Sequence, residues 1–160
     1  MKVWILGSGT LLPDPDRGSP AHAVAFQDVL LLLDCGAGAV RGLARLGLPW
    51  ERISHLFVSH FHTDHVGGLA PLLFALKHGV PETRTLPLVL LGPAGLEGHL
   101  EALARTHGSF VADPGFPIRI QELPAGGGWQ DPRGRFHLVT RGTPHTERSL
   151  AVRVETERGV

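Results

Sequence analysis

Apolar positions fall into short runs with two different periods. Residues 3–6 form an unbroken apolar run that predicts a buried strand. Residues 23–27 and 29–34 predict two more, and Leu30 to Leu33 is apolar on both faces, as expected of a central strand. Between the first two, Gly7, Gly9, Pro13, Asp14, Pro15 and Gly18 mark an irregular loop. Val40, Leu43, Ala44 and Leu46 fall on one face of a helix over 39–46, with Gly47 as its stop. A short strand follows at 56–58. Leu69, Leu72, Leu73 and Leu76 then recur at helical spacing before Gly79 and Pro81.

A strand over 88–91 and a helix carrying Leu96, Leu100 and Leu103 continue the alternation as far as Gly108. Beyond that point the period changes to two. Strands are predicted at 118–123, 136–140 and 150–155, with Gly126, Gly127 and Gly128 read as a turn. Mixed strands and helices followed by strands indicate one layered α/β domain over residues 1–160.

Composition narrows the function classes. The 160 residues carry 15 basic and 15 acidic side chains, so no global positive field favours a polybasic nucleic-acid binder. One cysteine, Cys35, excludes an internal disulfide framework and fits a reducing compartment; it reads as a small buried residue. The N-terminal apolar run is too short for a signal segment, and no run reaches the roughly 20 residues that span a bilayer. A cytoplasmic location without membrane attachment is the expectation. Ten histidines are the unusual feature.

Four potential metal ligands, His60, His62, Asp64 and His65, fall at the turn between the strand at 56–58 and the helix near Gly68. In extended backbone His60 and His62 project to one side, so both imidazoles reach one cation. As the chain turns into the helix, Asp64 and His65 come round to a second position beside the first. Gly67 and Gly68 let the backbone pass closely. The spacing suits two adjacent cations, an arrangement usually devoted to hydrolysis. Asp34, at the end of the central strand, can accept an imidazole N–H and fix a ligand's tautomer; the alternative is an ordinary helix N-cap. His22, in the early loop and strand, reads as a surface residue, with a position facing the site as the alternative. His55, His78, His99, His107 and His137 read as surface or helix-end residues.

The pattern His60-x-His62-x-Asp64-His65 resembles the metallo-β-lactamase superfamily. Residues 6–10 with Pro13 and Arg17, the segment 33–38 around Asp34-Cys35-Gly36, the strand and Gly-Pro turn at 88–96, and 145–150 narrow the resemblance to its ribonuclease Z-like branch. It implies an αββα sandwich with the metal centre at one edge of two sheets, here its N-terminal half plus part of the second sheet. Carried over by residue, His60, His62 and His145 hold a first metal, and Asp64 and His65 a second. The implied cofactor is Zn2+, two in the intact site, with Mn2+ or Fe as alternatives. The implied activity is hydrolysis of phosphodiester or other ester bonds by a metal-activated hydroxide, with Asp64 as proton acceptor.

Two parts of the family pattern have no counterpart. One is an Asp beyond the third histidine that bridges the metals, and the other is a late histidine that completes the second position. After His145 come only Glu147, Glu155 and Glu157 as carboxylates, and no histidine. A cation with two protein ligands is expected to bind weakly. The expectation is therefore a domain lacking its C-terminal part, with a natural single-metal variant as the alternative. Exposed sheet edges and an apolar face, favouring aggregation or a homo-oligomer, follow from it.

Ribonuclease Z enzymes usually carry a long arm that grips tRNA, and residues 110–135 hold only a short Gly/Pro-rich stretch. RNA and small phosphodiesters both stay open as substrates. Arg133, Arg135, Arg141, Arg148 and Arg153 either meet phosphates or form a solvated strand face. Two other functions compete with the hydrolase. One is a non-catalytic domain with a single three-histidine site, and the other is a mononuclear iron oxidoreductase of the same superfamily.

Overall fold

The computed structural model describes residues 1–157 and 159. Six strands form the main sheet in chain order: β1 (Lys2–Gly7), β2 (Ala21–Phe26), β3 (Val29–Leu33), β4 (His55–Phe57), β5 (Leu88–Gly92) and β6 (Ile118–Glu122). The first three run antiparallel, and β3 to β6 are parallel. Parallel neighbours require crossovers, which here contain α1 (Ala39–Arg45), α2 (Thr63–Val66), α3 (Leu69–His78), α4 (Leu96–His107) and α5 (Ser109–Ala112). The second sheet is an antiparallel set of three strands, β7 (Gly128–Gln130), β8 (His137–Gly142) and β9 (Leu150–Glu155).

Alternation along each strand separates two cores. Leu30, Leu32, Leu56, Val58, Leu88 and Leu90 meet Leu43, Leu69, Leu72, Leu73, Leu76, Leu96 and Leu100 from the helices. Val24, Phe26, Leu31, Phe57 and Leu91 point the other way and meet Phe136, Leu138 and Leu150. This double burial is why β3 is apolar at every position. Apart from Ala70, the buried residues of α1 to α5 all belong to the first core. The described layers are therefore helices, sheet and second sheet, the N-terminal half of an αββα sandwich plus part of its second sheet.

Three details depart from the sequence expectations. The turn after β4 contains a helical turn of its own, α2, before α3 begins. The glycine triplet is only partly a turn, since Gly128 already belongs to β7 and pairs with Val139. A Cβ at Gly128 would meet the Leu138 carbonyl oxygen at 2.8 Å, so strand approach itself demands glycine there. His55 is a buried member of β4 rather than a surface residue, and His99 is half-buried against Phe61.

Candidate metal centre

The centre forms where the chain leaves the C-terminal ends of β3 and β4, the edge at which parallel strands release their connections. Asp34 follows β3 with a left-handed backbone, φ 60°, which Asp tolerates better than most side chains. Its N–H donates to the Phe57 carbonyl at 2.8 Å, and the Cys35 N–H donates to the His65 carbonyl at 2.8 Å. The Gly68 N–H in turn donates to the Cys35 carbonyl at 2.7 Å. These bonds stitch the loop after β3 to the loop after β4. The closeness is steric as well, because a Cβ on Gly68 would meet Cys35 Sγ at 3.1 Å. Burial pushes the Cys35 thiol up to about 12, with the Asp34 charge adding to the effect, so it stays an unreactive part of the core.

Within this frame the imidazoles converge. Ring centroids lie 4.7 Å apart for His60 and His62, 4.8 Å for His60 and His145, and 4.9 Å for His62 and His145. One ligand atom from each of the three falls within 4.8 Å of the others. His145 Nε2 is 3.2 Å from His62 Nδ1. Two nitrogens bound to one tetrahedral Zn2+ at about 2.0–2.1 Å would be separated by roughly 3.3 Å, so this spacing suits a shared cation. His60 Nε2 is buried and has no hydrogen-bond partner, an arrangement costly for a polar atom unless something else binds it. Burial, then the nearby His65 and His62, lower the His60 pKa and keep its lone pair available.

The second position is thinner. His65 lies beside His60, ring centroids 4.1 Å apart, and its Nε2 is 3.7 Å from Asp64 Oδ2. The structure thus places His60, His62 and His145 in one group, with Asp64 and His65 adjoining. Asp34 sits behind them and is not the N-cap of α1, whose cap is Gly38. Its Oδ1 accepts from the Ser59 N–H at 2.7 Å, while His65 Nδ1 is 2.7 Å from Oδ2.

Two hydroxyls escaped the sequence reading. Ser59 Oγ donates to Asp34 Oδ2 at 2.9 Å and lies 2.9 Å from His60 Nδ1. Ser149 is buried and pins the loop bearing His145. Its Oγ accepts from Thr143 Oγ1 at 2.7 Å and from the Thr146 N–H at 3.0 Å. The Leu150 N–H donates to the Ser59 carbonyl at 3.0 Å, fastening β9 to the cluster. The only signal for Ser149 was the pair of hydroxyl residues, Thr143 and Ser149, bracketing His145, as in local side-chain turns.

The arginines divide. Arg135 pairs with Asp131 at 2.8 Å and Asp28 at 3.3 Å, Arg133 with Asp28 at 2.8 Å, and Arg153 with Glu155 at 2.5 Å. Arg148 instead reaches over the turn beside the centre, donating to the Ala94 carbonyl at 3.3 Å. Asp131 is the buried partner of Arg135.

Fold and centre together define a metallo-β-lactamase-type protein of the ribonuclease Z-like kind. Residues 1–94 match the family described as Anti-Pycsar protein Apyc1, and the chain belongs to that family. It is 37% identical over 119 residues to a ribonuclease Z of Ignicoccus hospitalis, covering 74% of this chain and 38% of the relative. A ribonuclease Z of Halorubrum lacusprofundi is 38% identical over 126 residues, covering 79% and 38%. The chain thus spans about two-fifths of the length of these curated relatives. Among solved structures, human tRNase Z, short form, superposes with TM-score 0.76 at 25% identity, over 98% of this chain and 66% of its own. The metallo-beta-lactamase fold protein YhfI from Bacillus subtilis superposes with TM-score 0.73 at 20% identity, over 95% and 56%.

Proposed function

We propose that the chain carries the metal-binding part of a hydrolase acting on phosphodiester bonds. The observation that carries this reading is the convergence of His60, His62 and His145 at ligand spacing, with His60 Nε2 buried and unpartnered. An all-imidazole set favours zinc over hard, oxygen-seeking cations. His60, His62 and His145 would hold a first ion, and Asp64 and His65 would face a second. When bound, such ions lower the pKa of water toward neutrality and offer positive charge to an oxyanion.

The chain's own residues supply the rest. Asp64, 3.7 Å from His65 Nε2 at the adjoining position, is suited to take a proton from the attacking water. Asp34 and Ser59 hold the rings behind the site, and Arg148 lies on the rim where phosphate oxygens would sit. The name ribonuclease Z, borne by the relatives, supports RNA as one substrate within this class.

Zinc-loaded protein is expected to hydrolyse bis(p-nitrophenyl) phosphate, with turnover falling to background in His62→Ala. Unchanged turnover in that variant removes the cluster from the mechanism. The convergence of three imidazoles, with two candidate side chains at the adjoining position among the described residues, also supports a second reading: a single-ion binding domain without turnover. One zinc per chain and no hydrolysis of the diester would select it.

A further inference from the structure

We propose that the Ser59 hydroxyl is a positioning residue that fixes the tautomer of His60, so that one carboxylate, Asp34, sets the ligand nitrogens of both metal positions. The inference rests on the metal-binding part of the reading above and does not require turnover.

A carboxylate only accepts hydrogen bonds, which decides the direction of every proton in the cluster. Two atoms meet Asp34 Oδ2, Ser59 Oγ at 2.9 Å and His65 Nδ1 at 2.7 Å. Both must donate. His65 therefore carries its proton on Nδ1 and leaves Nε2 free on the side of Asp64 Oδ2, 3.7 Å away. The Ser59 hydroxyl has spent its single proton on Asp34, so toward His60 Nδ1, 2.9 Å away, it can only accept. His60 is then protonated on Nδ1, and its lone pair is on Nε2, the buried atom that lacks a partner.

Each link in this chain follows from the one before, and the anchor is Asp34. The Ser59 N–H donates to Asp34 Oδ1 at 2.7 Å, which holds the hydroxyl's own backbone in register with the carboxylate. The left-handed turn at Asp34 aims the side chain across to β4's loop. Removing Ser59 Oγ would leave His65 locked and His60 free to place its proton on either nitrogen. A neutral imidazole protonated on Nε2 cannot offer that atom to a cation. Groups that orient a ligand in this way typically change metal affinity by roughly 10- to 100-fold.

The test uses the full chain as it stands. Long-range proton–nitrogen correlation spectra of the metal-free protein read each tautomer directly. Both His60 and His65 are expected as Nδ1–H forms. In Ser59→Ala, His60 should become a mixture while His65 stays unchanged. Zinc affinity, measured by competition with a chelator, should drop about 10- to 100-fold, and Ser59→Thr should recover it to within about 3-fold. An Nε2–H His60 in the unaltered protein overturns the proposal, even if the alanine variant does not fold. Unchanged zinc affinity in a folded Ser59→Ala protein overturns it too. Failure of diester hydrolysis with the tautomers as expected would count against the proposed function alone.

Discussion

Gly36 shows how closely backbone must pass backbone to build this centre. A Cβ there would drive into the Asp64 carbonyl oxygen and lie 2.6 Å from Ser19 Cβ and 2.8 Å from the Pro20 carbonyl. Two of those three neighbours are main chain and cannot rotate away. Gly36→Ala is therefore expected to destabilise the fold by about 2 kcal/mol or more, read as a lower urea midpoint. Zinc affinity should weaken with it, because the displaced segment carries Asp64 and His65. Wild-type affinity and midpoint in that variant would show that the loops have slack.

At this scale the candidate ligands stood out because four of them are neighbours in sequence, and ligand types crowded into one turn are rarely accidental. That His145 joins His60 and His62 was legible only through family resemblance, since it is 80 residues from His65 in sequence. Ser59 and Ser149 were not legible. A hydroxyl has no distinctive spacing, and its role exists only once distant segments have brought a carboxylate or a carbonyl to it.

Among the elements, β4 condenses the problem of reading polarity as exposure. Leu56 and Phe57 were evident as strand, but His55, polar and just before the apolar run, reads as a surface or helix-end residue. In the fold it is 2% exposed, with the edges of Phe136 and Trp129 around it at centroid distances of 5.0 and 5.8 Å. Ser54 Oγ is 2.9 Å from Nδ1, while Nε2 is left 3.6 Å from Asp131 Oδ1, too far for a hydrogen bond. Burial, and secondarily the Arg135 charge, lower the His55 pKa from 6.5 to about 4.

A lowered pKa means that the unfolded chain takes up the proton first. His55 thus leaves stability intact above about pH 6.5, and stability is lost as pH falls from there toward 4. The loss is on the order of 3 kcal/mol across that window. Asp131 acts lower down. Its hydrogen bonds to Arg135 bring its pKa from 3.8 to about 2, so its contribution is present above 3.8 and lost on further acidification. Urea denaturation between pH 7 and 4.5 should show a marked decline for the natural chain and a shallower one for His55→Leu. Equal slopes would mean that other groups carry the acid sensitivity.

For the molecule as a whole, the apolar pattern predicted each strand of the main sheet within a residue or two and the three longer helices between them, but not the single turns α2 and α5. It could not say which faces would go uncovered, because that depends on how far the second sheet extends. Val3 pairs with Val24 in the neighbouring strand, and Val24 lies in the core between the sheets. Yet Val3 and Ile5, on the same side of β1, are 61% and 63% exposed, and Met1 is 54% exposed. Among the described residues β9 pairs only with β8, so the second sheet has an open edge there. Half-buried Val152 and Val154 pack on the inter-sheet core from β9.

An apolar strand face beside an open edge favours association with other apolar surface. Single exposed side chains would not do so, but Val3 and Ile5 on successive outward positions of β1, with Met1 just before the strand, form a stripe. Replacing Val3 and Ile5 together with threonine keeps β-branched shape and strand propensity while adding a hydroxyl to each. The double variant should bind less of the dye ANS and sediment with less concentration-dependent self-association than the natural chain. Because both positions are already exposed, the stability change should stay within about 0.5 kcal/mol. Undiminished dye binding would place the sticky surface elsewhere, and a large loss of stability would mean that β1 is covered in solution by the chain's own residues.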